Sequence, residues 1–137
     1  MRVVIDTSVW ISGVFWTGLP HRILIAWRDG EFEVLVSPPL VAELARSLSA
    51  IVRELGADPA LAQEWLDLIA LGCEPVAPER TVSACRDPND NAVLEAGLAG
   101  QADYVVSGDR DLTSLGEHCG IGILAPRQFA RLIGCAG

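Results

Sequence analysis

The chain contains no lysine. All ten of its basic residues are arginine, and they are set against eighteen aspartate and glutamate residues, which gives a formal net charge of −8 at pH 7. A protein that holds nucleic acid mainly through phosphate contacts usually has a basic surface, so this balance argues against that mode of binding alone. The excess of acid has two interpretations: it supports solubility, or part of it forms a cluster that holds a divalent cation.

Other features are absent as well. No apolar run is long enough to cross a bilayer, and no charged segment followed by a short apolar run opens the chain, so we predict a soluble cytoplasmic protein with no membrane partner. The four cysteines form no Cys-x-x-Cys pair and lack partnering histidines, which argues against a zinc site. Half of the residues are hydrophobic and only 20% are charged, which argues against disorder and predicts a single domain over residues 1–137.

Apolar segments of strand length alternate with segments of helical periodicity. This alternation predicts a three-layer α/β/α sandwich with a central, mostly parallel sheet of four to five strands. The predicted strands are residues 2–6, 32–36, 104–106 and 121–124, with 73–77 as a weak edge strand. The predicted helices are one capped by Thr7–Ser8, one that begins at Asp87, and residues 21–28, 37–55, 60–71, 112–118 and 126–133.

Acidic residues recur at strand ends and in first helical turns. Asp6 follows the first strand and Asp109 follows the strand at 104–106, and in open parallel sheets ligands bind at this edge. Glu43 lies one turn into a helix that leaves the same edge, where it either complements the helix dipole or joins the site. Because several unpaired carboxylates at close quarters repel one another, their convergence with Asp90 favours a bound divalent cation.

Two of the acids at the start of one helix have a structural alternative. Asp87 precedes Pro88, a pattern typical of an N-cap followed by proline at the first helical position, and this favours a structural cap over a metal ligand. Asp90 could complete a capping box, an interpretation that competes directly with metal binding.

The tryptophans also have two interpretations. Trp10, Trp16 and Trp27 fall within a short span, and Trp65 lies on a later predicted helix. Packing in the core is the favoured interpretation, and a partly exposed groove for a protein partner is the alternative.

An ordered set of short motifs runs along the whole chain. The motifs are Ile5–Val9, Pro38–Leu44, Asp87–Asn91 and Ser107–Leu112. In this order and spacing they resemble the PIN domain, and most closely its bacterial branch of toxin components of toxin–antitoxin pairs, of the VapC type. The chain departs from the family pattern at Ser8, where family members commonly have asparagine.

The resemblance implies a metal-dependent endoribonuclease that leaves a 5′-phosphate and a 3′-hydroxyl. It implies Mg²⁺ or Mn²⁺ as cofactor, RNA as substrate and a small antitoxin protein as partner, and it leaves a homodimer open. The residues that match the family's catalytic and metal-binding quartet are Asp6, Glu43, Asp90 and Asp109, with Asp6 and Asp109 expected as the inner ligands. Auxiliary roles fall to Asp111, Asp87, Ser8 and Ser107. The candidates for contacts with substrate phosphates are Arg86 and Arg110, whose alternative role is to form salt bridges with the acids.

Two other functions are weighed against the ribonuclease. The first is a PIN-like RNA-binding or regulatory module with little activity, which the intact quartet argues against. The second is a receiver-like or phosphatase α/β domain. A phosphatase of that kind requires Asp-x-Asp after the first strand, whereas this chain has Asp6-Thr7-Ser8, and a receiver requires a lysine that this chain lacks.

Overall fold

The computed structural model describes residues 1–135, so the last two residues of the predicted domain lie outside the described part of the chain. The helices are α1 Thr7–Phe15, α2 Leu19–Arg28, α3 Pro38–Leu55, α4 Pro59–Gly72, α5 Pro88–Ala99, α6 Arg110–Thr113 and α7 Pro126–Ile133. The strands are β1 Arg2–Ile5, β2 Glu33–Val36, β3 Glu74–Pro75, β4 Tyr104–Val106, β5 Glu117–His118 and β6 Ile121–Leu124.

The strands form one six-stranded sheet in the order β3-β2-β1-β4-β6-β5. All neighbouring pairs are parallel except β5 with β6. The predicted α/β class with a mostly parallel sheet is confirmed, although the sheet has six strands and not four to five. The strands β1 and β4 lie side by side at its centre, with Val4 opposite Val105.

The additional strand is β5, and it replaces the end of a predicted helix. The helix expected over residues 112–118 is wrong beyond Thr113, where α6 ends. Gly116 then has a φ of +70°, and the β5–β6 turn places Cys119 at +50° and Gly120 at +85°. Backbone with φ in this range cannot continue an α-helix, so the chain reverses as a hairpin.

Side chains alternate between the two faces of the sheet and create two apolar cores. On one face, Val3 and Ile5 of β1 pack in a core with residues from α1, α2, α3, α4 and α7. On the other face, Val4 packs with Leu35, Val105 and the buried side of α5. This alternation follows from the two-residue period of a strand. Because apolar side chains then lie on both faces of the sheet, helices pack on both faces.

Three of the four tryptophans belong to the core. Trp10, Trp27 and Trp65 are 2%, 7% and 6% exposed, whereas Trp16 is 53% exposed. The rings of Trp10 and Trp27 meet edge to face with centroids 5.3 Å apart. The interpretation as core packing is therefore correct for three of them, and a groove lined by all four is wrong because buried rings cannot contact a partner.

Within residues 1–135, no helix is both long enough and apolar enough to cross a membrane.

Candidate metal centre

The carboxyl ends of β1 and β4 meet at the centre of one edge of the sheet. The backbone N–H of Asp6 donates to the carbonyl of Val106 at 2.9 Å, which joins the two strand ends directly. Asp6 and Asp109 immediately precede α1 and α6 and occupy the N-cap positions of these helices. The cap of α1 is therefore Asp6 and not the predicted Thr7–Ser8 pair.

Asp6 is buried, and hydroxyl groups hold its side chain. Its Oδ2 atom accepts hydrogen bonds from the Oγ of Ser107 at 2.6 Å and from the Oγ of Ser8 at 3.1 Å. Burial raises the pKa of the Asp6 carboxyl, and the bonds from Ser107 and Ser8 partly offset this increase. Its carboxylate makes no cap hydrogen bond in α1 and is held between Ser8 of α1 and Ser107 after β4.

Ser107 connects two of the predicted acids. It is fully buried, and its Oγ accepts from the backbone N–H of Asp109 at 2.9 Å while it donates to Asp6. Asp109 in turn accepts from the backbone N–H of Asp111 at 2.9 Å. A single hydroxyl therefore bridges the Asp6 carboxylate after β1 and the Asp109 backbone after β4.

The most compact group of acids is Asp90, Asp109 and Asp111. One carboxylate oxygen of each lies within 4.8 Å of those of the other two. Asp90 is only 4% exposed, and its Oδ2 has no hydrogen-bond partner in the described part of the chain. Burial, followed by the hydrogen bond to Asp109 and the charge of that residue, raises the pKa of Asp90 to about 7.

This group has the chemistry of a divalent-cation site. Carboxylate oxygens are the ligands that Mg²⁺ and Mn²⁺ prefer. A buried carboxylate oxygen without a partner is costly unless it is protonated or meets a cation. The capping-box interpretation of Asp90 is wrong, since no bond from its carboxylate to the Asp87 N–H forms among residues 1–135. The residues present therefore fit a metal ion of this class.

Glu43 lies beside Asp6 and apart from the compact group. It is half-buried on α3, near the side chain of Thr7. Burial raises the pKa of Glu43, and the charge of Asp6 raises it further. Of the predicted quartet, Asp90 and Asp109 therefore belong to the compact group, while Asp6 and Glu43 lie outside it, and the charge of Asp109 still acts on Asp6.

The remaining predicted site residues, Asp87, Arg86 and Arg110, are exposed next to these acids. Asp87 is exposed and caps α5 by accepting from the N–H of Asn89 at 2.9 Å, as expected for a structural cap. Arg86 pairs with Asp111 at 3.2 Å. Arg110 is exposed next to Asp109.

The structure adds residues to which the sequence analysis gave no role or a minor one. Asp111, predicted as auxiliary, is a full member of the compact group. The side chain of Asn91 accepts from the N–H of Cys85 at 2.8 Å and donates to its carbonyl at 2.9 Å, which holds the segment before α5. The two-residue spacing of Asp109 and Asp111 around a helix start is a sequence signal for the role of Asp111. No local sequence pattern indicates the role of Asn91.

The sequence profile of the PIN domain matches residues 2–111, which is most of the chain. With the parallel sheet and the acids at its carboxyl edge, this match places the protein in a class of α/β nucleases. The chain belongs to the PIN domain family, whose members are typically nucleases that bind a divalent metal. A search of curated proteins found no match.

Proposed function

We propose that this protein is a metal-dependent endoribonuclease that hydrolyses RNA phosphodiester bonds in the cytoplasm, as the toxin of a toxin–antitoxin pair. Membership in a nuclease family supports the reaction class. The observation that carries the proposal is the buried, unpartnered Oδ2 of Asp90 beside the carboxylates of Asp109 and Asp111. A buried acid of this kind favours a cation, and a cation at the carboxyl edge of the sheet lies where substrates bind.

The proposal gives each acidic side chain a role. Asp90, Asp109 and Asp111 hold Mg²⁺ or Mn²⁺, and a bound ion of this class lowers the pKa of water and neutralises charge on a phosphate. Asp6 completes the ligand set from β1, with its orientation fixed by Ser8 and Ser107 in the way that ligating carboxylates are commonly supported.

Glu43, near Thr7 and Asp6, orients water or a second ion. Burial raises the pKa of its carboxyl, and the charge of Asp6 acts in the same direction, so a cation nearby would favour the ionised form.

The test is cleavage of a labelled pool of total RNA by the purified protein with Mg²⁺, with Mn²⁺ and with EDTA. We expect cleavage to require the metal, and Asp6→Asn and Asp109→Asn each to lower the rate at least about a hundredfold, because each removes a ligand charge. Asp87→Asn is the matched control, since it removes one exposed acid and retains an N-cap residue.

Two outcomes would count against the nuclease. Cleavage that persists in EDTA, or in both ligand variants, would exclude the metal centre as its source. A folded parent protein that binds RNA and cuts none with either metal would favour the alternative, a PIN-like RNA-binding or regulatory module.

The toxin role requires a small antitoxin protein as partner. Of the four tryptophans, only Trp16 has the exposure that a contact with a partner needs. Co-expression with the short protein encoded by a neighbouring gene tests this role. We expect the two proteins to co-purify and the complex to have lost cleavage activity.

A further inference from the structure

Arg86 forms an ion pair with the compact acidic group. Its Nη2 atom lies 3.2 Å from Oδ1 and 3.3 Å from Oδ2 of Asp111. The side chain of Arg86 is 89% exposed and that of Asp111 is 40% exposed. Because solvent surrounds the pair and little packing holds it, the guanidinium can leave Asp111 without any rearrangement of the core.

Asp111 has a second set of charged neighbours. Its carboxylate lies within 4.8 Å of those of Asp90 and Asp109, and the buried Oδ2 of Asp90 has no partner among residues 1–135. The same carboxylate is therefore close both to a guanidinium and to the other carboxylates of the candidate metal centre. A divalent cation carries twice the charge of Arg86 and interacts with all three carboxylates, so it is the stronger partner for Asp111.

We propose that Arg86 changes partner as the metal centre fills: it pairs with Asp111 in the metal-free protein and with a phosphate of the RNA backbone in the metal-loaded protein. This inference rests on the proposed function and concerns how substrate binding is coupled to metal binding. A cation held by Asp111 offsets the carboxylate charge and repels the guanidinium. The planar donors of the released side chain then lie next to the site and match the geometry of a phosphate group.

An exchange of this kind acts in both directions. If bound metal strengthens the binding of RNA, bound RNA strengthens the binding of metal by the same factor. An exposed ion pair changes an equilibrium constant by at most about fivefold, so the contribution of Arg86 to this coupling is expected to be about two- to fivefold.

The first arm of the test measures Mn²⁺ affinity without RNA by isothermal titration calorimetry. Arg86→Gln removes both the ion pair and a positive charge. Arg110→Gln is the matched control, because Arg110 is exposed beside the same group and forms no ion pair in the described part of the chain. We expect Arg86→Gln to bind Mn²⁺ about two- to fivefold more tightly than Arg110→Gln does. Equal affinities would show that only the net charge matters and would overturn the proposal.

The second arm measures fluorescence anisotropy of a short oligoribonucleotide with phosphorothioate linkages, with and without Ca²⁺, an ion that also binds carboxylate oxygens. We expect Ca²⁺ to strengthen binding to the parent protein about two- to fivefold more than binding to Arg86→Gln. An equal effect of Ca²⁺ on both proteins would overturn the exchange of partners.

The two proposals can fail separately. A parent protein that binds Mn²⁺ and cleaves RNA, together with Arg86 and Arg110 variants that behave alike, contradicts the exchange alone. A parent protein that binds no Mn²⁺ contradicts the metal centre and therefore both proposals.

Discussion

Asp90 differs in protonation state between the folded and the unfolded chain. Its pKa is raised from an ordinary aspartate value to about 7, with burial as the first cause and Asp109 as the second. Between those two pKa values the unfolded chain has lost a proton that the folded chain still holds. The free energy of unfolding of the metal-free protein therefore falls as pH rises from about 4 to about 7.

This shift gives a prediction for the metal-free protein. The midpoint of urea unfolding in EDTA is expected to fall as pH rises from about 5 to about 7.5, and Asp90→Asn is expected to remove most of that fall. Mn²⁺ is expected to restore stability mainly at the upper end of this range, because a metal ligand must be deprotonated. A parent protein and an Asp90→Asn variant with parallel pH profiles would show that Asp90 is not the titrating group.

The segment that leads into α5 depends on that helix for its position. Residues 76–87 contain no helix or strand, and Val82 donates its N–H to the carboxylate of Glu95 at 2.9 Å. Asn91, one helical turn before Glu95, bonds both polar groups of the Cys85 backbone. These side chains lie at i and i+4 on α5, so they face the same side and hold the segment that carries Arg86.

We therefore predict that Asn91→Ala loosens this segment. The substitution leaves the N–H and carbonyl of Cys85 without partners, at a cost of about 1–3 kcal/mol. Hydrogen exchange of the Cys85 amide is expected to accelerate, and the RNA concentration for half-maximal cleavage to rise because Arg86 is less well placed. Asn89→Ala is the control, since Asn89 is exposed and its side chain has no hydrogen bond among the described residues. Equal exchange rates in the two variants would contradict the role of Asn91.

In the molecule as a whole, acidic residues outnumber basic residues, and some of the basic residues already form ion pairs within the protein. Arg2, at the amino edge of the sheet, forms ion pairs with Glu33 and Glu74 and donates to the carbonyl of Gly100. At the carboxyl edge, the predicted phosphate contacts come from Arg86 and Arg110. The number of cationic contacts with a nucleic acid is therefore expected to be small.

A small number of contacts predicts a weak dependence of RNA binding on salt. With Ca²⁺ bound and two phosphate contacts, the slope of log affinity against log salt for single-stranded RNA is expected to be about −1.4. It is expected to approach about −0.7 in Arg86→Gln and to stay unchanged in Arg28→Gln, which removes an exposed charge at the end of α2 that precedes β2. A parent slope much steeper than this would show that other arginines hold the RNA.

Pattern and spacing in the sequence predict five of the six strands and the edge of the sheet where the acids meet. The apolar runs of β1 and β4 end at Asp6 and just before Ser107, and a parallel sheet brings such ends together. The cap at Asp87 was also predicted from the sequence, because aspartate followed by proline is typical of a helix N-terminus. These features depend on near neighbours in the chain, which is why pattern and spacing were sufficient.

Only the tertiary structure decided how the acids are grouped and what holds them. Asp111 joins Asp90, whereas Glu43 is outside that group, and the shorter of the two hydroxyl bonds to Asp6 comes from Ser107, far along the chain. The same is true of the burial of Trp10 and Trp27 against each other. Distances between residues far apart in sequence depend on how helices pack on the sheet, and on no property of the local segments, so they were fixed only when the two cores formed.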